Sequence, residues 1–118
     1  MANLFRQTEF ETFIKTLKAA DMVDQWDSRV AKVGGKVFAL LTPDDLPRIT
    51  FKCPEETFVI LTAIEGVGQA PYFAKRQWVS VSENSDLPAA ELQEYIRRSY
   101  GIIASRLTRK LRLELGIE

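Results

Sequence analysis

Two adjacent glycines constrain this chain more than any other feature. Gly34-Gly35 stands between Arg29-Val30-Ala31-Lys32-Val33 and Lys36-Val37-Phe38-Ala39-Leu40-Leu41, two runs rich in β-branched and apolar residues. A tight turn between antiparallel strands needs positive φ at its centre, which glycine adopts without a steric penalty. The segment therefore reads as a β-hairpin. The polar stretch Thr42 to Pro47 with its two prolines reads as a loop. A third strand then follows, Arg48-Ile49-Thr50-Phe51-Lys52-Cys53, with Ile49, Phe51 and Cys53 on one face and Arg48, Thr50 and Lys52 on the other.

Helical periodicity brackets this sheet. Phe10, Phe13, Ile14 and Leu17 form one stripe between Thr8 and Ala20, and Thr8 with Glu11 has the spacing of a capping box. Pro54-Glu55-Glu56 suits a helix start running to about Ile64, with Gly66 ending it. A loop from Gly66 leads to Pro71. Tyr72-Phe73 and Trp78-Val79-Ser80-Val81 then read as a second hairpin around Ala74-Lys75-Arg76-Gln77. Pro88 opens a long last helix whose buried stripe is Leu92, Tyr95, Ile96, Ser99, Ile103 and Leu107; beyond Leu107 the pattern leaves continued helix and frayed tail both open. The expected fold is α+β, a two-layer α-β(3)-α-β(2)-α sandwich. It has a mainly antiparallel five-stranded sheet, helices on one face and the other face partly open. All of residues 1–118 read as one domain, since 46% apolar and 27% charged residues is a globular balance and the length suits one core.

The missing residue types narrow the chemistry. The chain contains no histidine, which removes the commonest general base, metal ligand and activator of a Ser or Cys nucleophile. The single cysteine, Cys53, excludes internal disulfides and multi-thiolate zinc sites. Cys53 sits at a strand end ahead of a helix start, where a dipole lowers a thiol pKa, but with no histidine beside it a buried structural thiol is the better reading. Asp44-Asp45 and Glu55-Glu56 lack the contrast in environment that separates an acid from a base. Gly34-Gly35 and Gly66-x-Gly68 are not phosphate loops, because no helix follows the first and the second runs into Pro71. The expectation is a domain that is not an enzyme and uses neither metal nor cofactor. The opening residues lack the apolar core of a secretory signal and no run is long enough to cross a bilayer, so the expected location is cytoplasmic.

Charge is segregated although sixteen basic residues balance sixteen acidic ones. One basic group lies on the hairpins: Lys32, Lys36, Arg48, Lys52, Lys75 and Arg76, with Trp78 beside the last two. A second lies on the last helix and tail: Arg97, Arg98, Arg106, Arg109, Lys110 and Arg112. Cations on hairpin tips neutralise phosphates, and an aromatic side chain among them stacks on bases. The plainer reading is a solvated strand face, a helix end complementing its dipole and a packing tryptophan.

The run Lys32-Val33-Gly34-Gly35-Lys36-Val37-Phe38-Ala39-Leu40 resembles the signature hairpin of MmcQ/YjbR-like proteins. Further matching pieces follow in order: Thr50-Phe51-Lys52-Cys53 before a helix, Pro71-Tyr72-Phe73-Ala74-Lys75-Arg76-Gln77-Trp78-Val79-Ser80-Val81, and Ile96-Arg97-Arg98-Ser99-Tyr100. The resemblance implies a compact bacterial domain comparable to frataxin and secretion-chaperone folds, DNA binding through two hairpins arranged as a double wing, and no catalytic residue set. The first wing would include Lys32, Lys36, Arg48 and Lys52, and the second Lys75, Arg76 and Trp78. Relatives often carry an Asn-Lys-Arg-His-Trp run where this chain has Ala74-Lys75-Arg76-Gln77-Trp78, so roles resting on that Asn or His do not transfer. A protein-interaction or chaperone-like domain using the open sheet face is the competing expectation.

Overall fold

The computed structural model describes residues 3–117. Helix α1 (Gln7–Ile14) precedes strands β1 (Ala20–Gln25), β2 (Ser28–Val33), β3 (Lys36–Thr42) and β4 (Arg48–Lys52). Helix α2 (Glu55–Leu61), strands β5 (Val67–Gln69) and β6 (Trp78–Ser82), and helices α3 (Ala89–Ser105) and α4 (Arg109–Leu115) complete the order. The strands form one antiparallel sheet, β1-β2-β3-β4-β6-β5. The α+β architecture is as expected, but the sheet has six strands rather than five.

The additional strand is β1, which starts at the end of the expected first helix, Ala20, and runs through residues to which no element was given. Its turn to β2 is Trp26-Asp27, both at positive φ (55° and 56°). That geometry normally selects Asn-Gly, so a Trp-Asp turn hides the hairpin from a reading based on turn residues. The first helix is correspondingly short. Its proposed capping box does not form: Thr8 lies inside α1, and Arg6 at the N-cap makes no side-chain cap bond. Glu11 instead reaches across to Arg29 of β2 at 2.8 Å, and Arg29 also binds Asp24 of β1 at 2.8 Å. The second hairpin is also displaced. Its first strand is Val67–Gln69, while Tyr72 and Phe73 lie in the connecting loop, where Pro71 and positive φ at Tyr72 (70°) and Arg76 (63°) are incompatible with a regular strand. Finally, α2 stops at Leu61, before Ile64.

The core lies between the sheet and the helices. Phe10, Phe13 and Ile14 of α1, Phe58 and Leu61 of α2, and Leu92, Ile96 and Ile103 of α3 pack on Ala31, Ala39, Leu41, Ile49, Phe51, Val79 and Val81. One irregularity organises this layer. The β2–β3 register jumps from Ala31↔Ala39 to Lys32↔Val37, leaving Phe38 as the extra residue of a β-bulge. The bulge lets Phe38 join Ala39 in the core instead of alternating to the other side, and its ring meets Tyr100 of α3 edge-on at 5.3 Å. The bulge also opens the ladder beside β4. Ser99 of α3, fully buried, fills the gap: its hydroxyl donates to the Phe38 carbonyl (2.6 Å) and accepts from the Lys52 amide (2.9 Å).

Helix α3 ends at a three-residue break, Arg106 to Thr108. Thr108 caps α4 by accepting from the Leu111 amide at 3.1 Å, so the tail continues as a separate helix. Leu107 and Leu111 from this corner close over the β2–β3 turn. A Cβ on Gly34 would come within 2.7 Å of Leu107, and Gly34 has φ +57°. Among the described residues no helix is long and apolar enough to cross a membrane.

Replacing Ser99 with alanine strands a buried carbonyl and a buried amide together. Urea unfolding of Ser99→Ala should show a loss of about 1–3 kcal/mol with an unchanged m-value. A loss within experimental error would show that the hydroxyl does not join α3 to the sheet.

Candidate functional site

Strand direction gathers most of the basic residues singled out above at one end of the molecule. β2 ends and β3 begins there, β4 ends at Lys52, the 70–77 loop enters β6 there, and the α3–α4 corner covers the β2–β3 turn. Lys36, Lys75, Arg106, Arg109 and Lys110 are exposed at this end, Lys32 is half-buried, and none of them makes an ion pair among the described residues. Contact of Leu107 and Leu111 with Gly34 sets the first hairpin beside the C-terminal cations.

Three of the expected wing residues do not have the freedom assigned to them. Lys52 and Trp78 are only 7% and 8% exposed, which is too buried to lie against a phosphate or between bases. The Lys52 ammonium donates to Gln77 Oε1 at 2.7 Å and lies 5.5 Å from the centre of the Trp78 ring. Burial pushes its pKa down, and the Arg106 charge pushes it the same way. Arg76 is exposed but tied to Glu55 of α2, with its guanidinium over Phe58 and its amide donating to Gln69 Oε1 at 2.8 Å. The outer face of β4 is thus not the open basic surface that alternation suggests. Arg97 and Arg98 also separate from the C-terminal group. Both pair with Glu94, at 3.7 and 3.3 Å, and lie over Phe13 and Tyr95.

Arg48 is at the opposite end of β4, in register with Thr42 and Ser82. It lines a groove of about 540 Å³ on the sheet face away from the helices, together with Trp26, Ser28, Leu40, Thr42, Thr50, Pro71, Tyr72, Phe73 and Ser80. The 70–77 loop folds over this face. Phe73 packs on Trp78 with ring centres 4.5 Å apart and meets Trp26 edge-on at 6.3 Å. The face is therefore partly open, as expected, but it is roofed by aromatic side chains rather than flat. Outward-pointing Val30, Leu40 and Trp78, apolar where a solvated face would be polar, were the available signal for that roof.

Cys53 is 4% exposed, and burial pushes its thiol up to about 11. The dipole of the following helix does not activate it. This agrees with the structural reading of the residue.

The family model for YjbR matches residues 15–102. The chain belongs to the YjbR family. Its fold is similar to the crystal structure of Deinococcus radiodurans protein DR2400, with TM-score 0.83 and 24% identity over 92% of this chain and 86% of that one. It is also similar to that of a Pseudomonas syringae structural-genomics protein, with TM-score 0.71 and 21% identity over 83% and 98% of the two chains. No curated protein matches. These likenesses establish the fold of this YjbR domain and leave its activity to the chemistry of its own surface.

The Cys53 environment makes an alkaline prediction. The folded state holds the thiol proton more tightly than the unfolded chain, so stability is full below the ordinary thiol value of 9.0 and falls as pH rises from there towards about 11. The slope has a ceiling of about 1.4 kcal/mol per pH unit. Lys52 has the opposite sign, because its lowered folded pKa makes stability rise with pH up to the ordinary lysine value. The difference between wild-type and Cys53→Ala unfolding curves across this range isolates the thiol. A difference that does not change with pH would contradict its burial in the proton-bearing form.

Proposed function

We propose that this YjbR domain is a non-catalytic, cytoplasmic nucleic-acid-binding module that grips the phosphate backbone with its basic end. The supporting observation is the set of exposed cations that have no ion-pair partner among the described residues, Lys36, Lys75, Arg106, Arg109 and Lys110, where the α3–α4 corner closes over the first hairpin. Acidic residues cancel their charge in the total, but none forms a contact ion pair with them among the described residues, and a group of unpaired cations of this kind attracts a polyanion. In this reading the grip is a hairpin tip plus a helical corner rather than two equivalent wings. Lys52 and Trp78 support it from inside, by shaping the strand ends. With so few cations and no aromatic side chain among them, binding follows the backbone and is indifferent to sequence.

The competing reading, a protein-interaction or chaperone-like domain, draws on exposed apolar groups: Trp26 (58%) at the groove and Val59 (54%) and Ile60 (63%) on α2. Small patches of this kind mark contact sites when they are contiguous.

Fluorescence anisotropy with a labelled duplex, measured across a salt series, tests the primary reading. Affinity should fall as salt rises, and Lys36→Ala/Arg106→Ala/Arg109→Ala/Lys110→Ala together should flatten the log–log slope by roughly 3 to 4. Arg97→Ala/Arg98→Ala and Lys52→Met should leave the slope unchanged, because those cations are paired or buried. Flat anisotropy at low salt with both duplex and single strands would rule the reading out. Concentration-dependent self-association in the same samples would then favour the protein-interaction alternative.

A further inference from the structure

The outer-face groove lies apart from the basic end and has a chemistry of its own. Its floor is two registered rows of the sheet, and a third row adjoins it. Ser28, Thr42 and Arg48 make the first, Leu40, Thr50 and Ser80 the second, and Trp78 lies on the third, beneath Phe73. The Ser28 and Thr42 hydroxyls and the Arg48 guanidinium stand at the end near the β1–β2 turn, the middle row sets Leu40 beside the Thr50 and Ser80 hydroxyls, and Phe73 on Trp78 closes the other end. The Ser28 and Thr42 hydroxyls are 3.0 Å apart and hydrogen-bond one another. The Arg48 side chain, half-buried in the same row, makes no hydrogen bond or ion pair among the described residues. A guanidinium held in a cleft without a carboxylate partner favours an anion, and its planar fork matches a carboxylate.

The walls point to the rest of the ligand. Trp26, Asp27 and Tyr72 border the groove or its turn, and all have positive φ although none is glycine. This conformation is costly for bulky side chains, and it sets two aromatic groups at the groove mouth. Trp26 meets Phe73 across the opening, while Tyr72 is fully exposed. About 540 Å³ falls within the range of small-molecule sites, which are mainly apolar with a few placed polar groups.

We infer that this groove is a binding site for a small, flat aromatic carboxylate. Its carboxylate pairs with Arg48 beside the Ser28–Thr42 hydroxyls, and its ring lies over Leu40 and Thr50 beneath Phe73. Trp26 and Tyr72 flank the entrance. The ligand is taken whole and no bond is made or broken. The site does not depend on the nucleic-acid reading, since none of the exposed cations of the basic end lines it.

The test uses the full chain with 2-naphthoate and its uncharged analogue 2-naphthamide, followed by amide chemical shifts and by titration calorimetry. Saturable one-site binding of naphthoate is expected, with shifts at Leu40, Thr50, Phe73 and Ser80 and with naphthamide weaker by about tenfold or more. Arg48→Gln should remove that preference while leaving naphthamide affinity and the remaining amide spectrum in place. Lys36→Ala/Arg109→Ala should bind naphthoate like the wild type. The inference is overturned if the two compounds bind equally, if Arg48→Gln keeps the preference, if shifts gather on the basic end, or if millimolar naphthoate gives no saturable change.

Discussion

The Ser99 hydroxyl sits where the sheet is interrupted, and much of the architecture depends on it. The bulge at Phe38 carries a large side chain into the core but parts β3 from β4, leaving a carbonyl and an amide facing a gap. A buried gap of that kind is expensive unless something fills it. Ser99 satisfies both groups from α3 and thereby fixes the height and rotation of that helix on the sheet. Tyr100, the next residue, closes on the Phe38 ring and donates to the Lys18 carbonyl, tying the entry of β1 to the same point. Two turns further along, Leu107 comes down on the β2–β3 turn, where a glycine leaves room for it. The position of the C-terminal cations beside the first hairpin follows from that chain of contacts.

The sheet is covered on both sides, though by different means. Helices bury one face in a continuous core. On the other, Val30, Leu40, Thr50, Lys52 and Trp78 are buried too, and Phe73 and Gln77 of an irregular loop cover Trp78 and Lys52 while Leu40 and Thr50 line the groove. The loop is held by Phe73 on Trp78, by Gln77 on Lys52 and by the Arg76–Glu55 pair, the last being an exposed ion pair of little energetic weight. Residues that alternate outward on β4 thus face three environments: Arg48 in a groove, Thr50 on its floor and Lys52 beneath an aromatic ring. Strand alternation assigns a side chain to a face, but what lies over that face depends on segments distant in sequence.

This difference explains what was legible in the sequence. The β2–β3 hairpin, β4, the start of α2 and the stripe of α3 were all readable, because Gly34-Gly35, strict alternation, Pro54 with two acids, and helical spacing are local signals. β1 was not, since Trp26-Asp27 adopts a turn that sequence normally marks with glycine. The second hairpin slipped towards Tyr72-Phe73 because aromatic residues favour strands, while Val67–Gln69 is short and carries a glycine. For the site, residue identity located the basic end but not its membership. Lys36, Arg106, Arg109 and Lys110 stay exposed, while Lys52 and Trp78 are buried and Arg76, Arg97 and Arg98 are paired. The groove required the 70–77 loop to fold over the sheet, which no local pattern states.

In the proposed function, one end of this YjbR domain acts as a single cationic surface separate from the groove. Amide chemical-shift mapping with a short DNA duplex at low salt tests it most directly. The account predicts perturbations confined to the β2–β3 turn around Lys36, to Lys75 and to the corner from Arg106 to Lys110, with Leu40, Thr50 and Ser80 unmoved. Perturbations centred on the groove, or spread evenly over Arg97, Arg98 and the acidic surfaces as well, would contradict it.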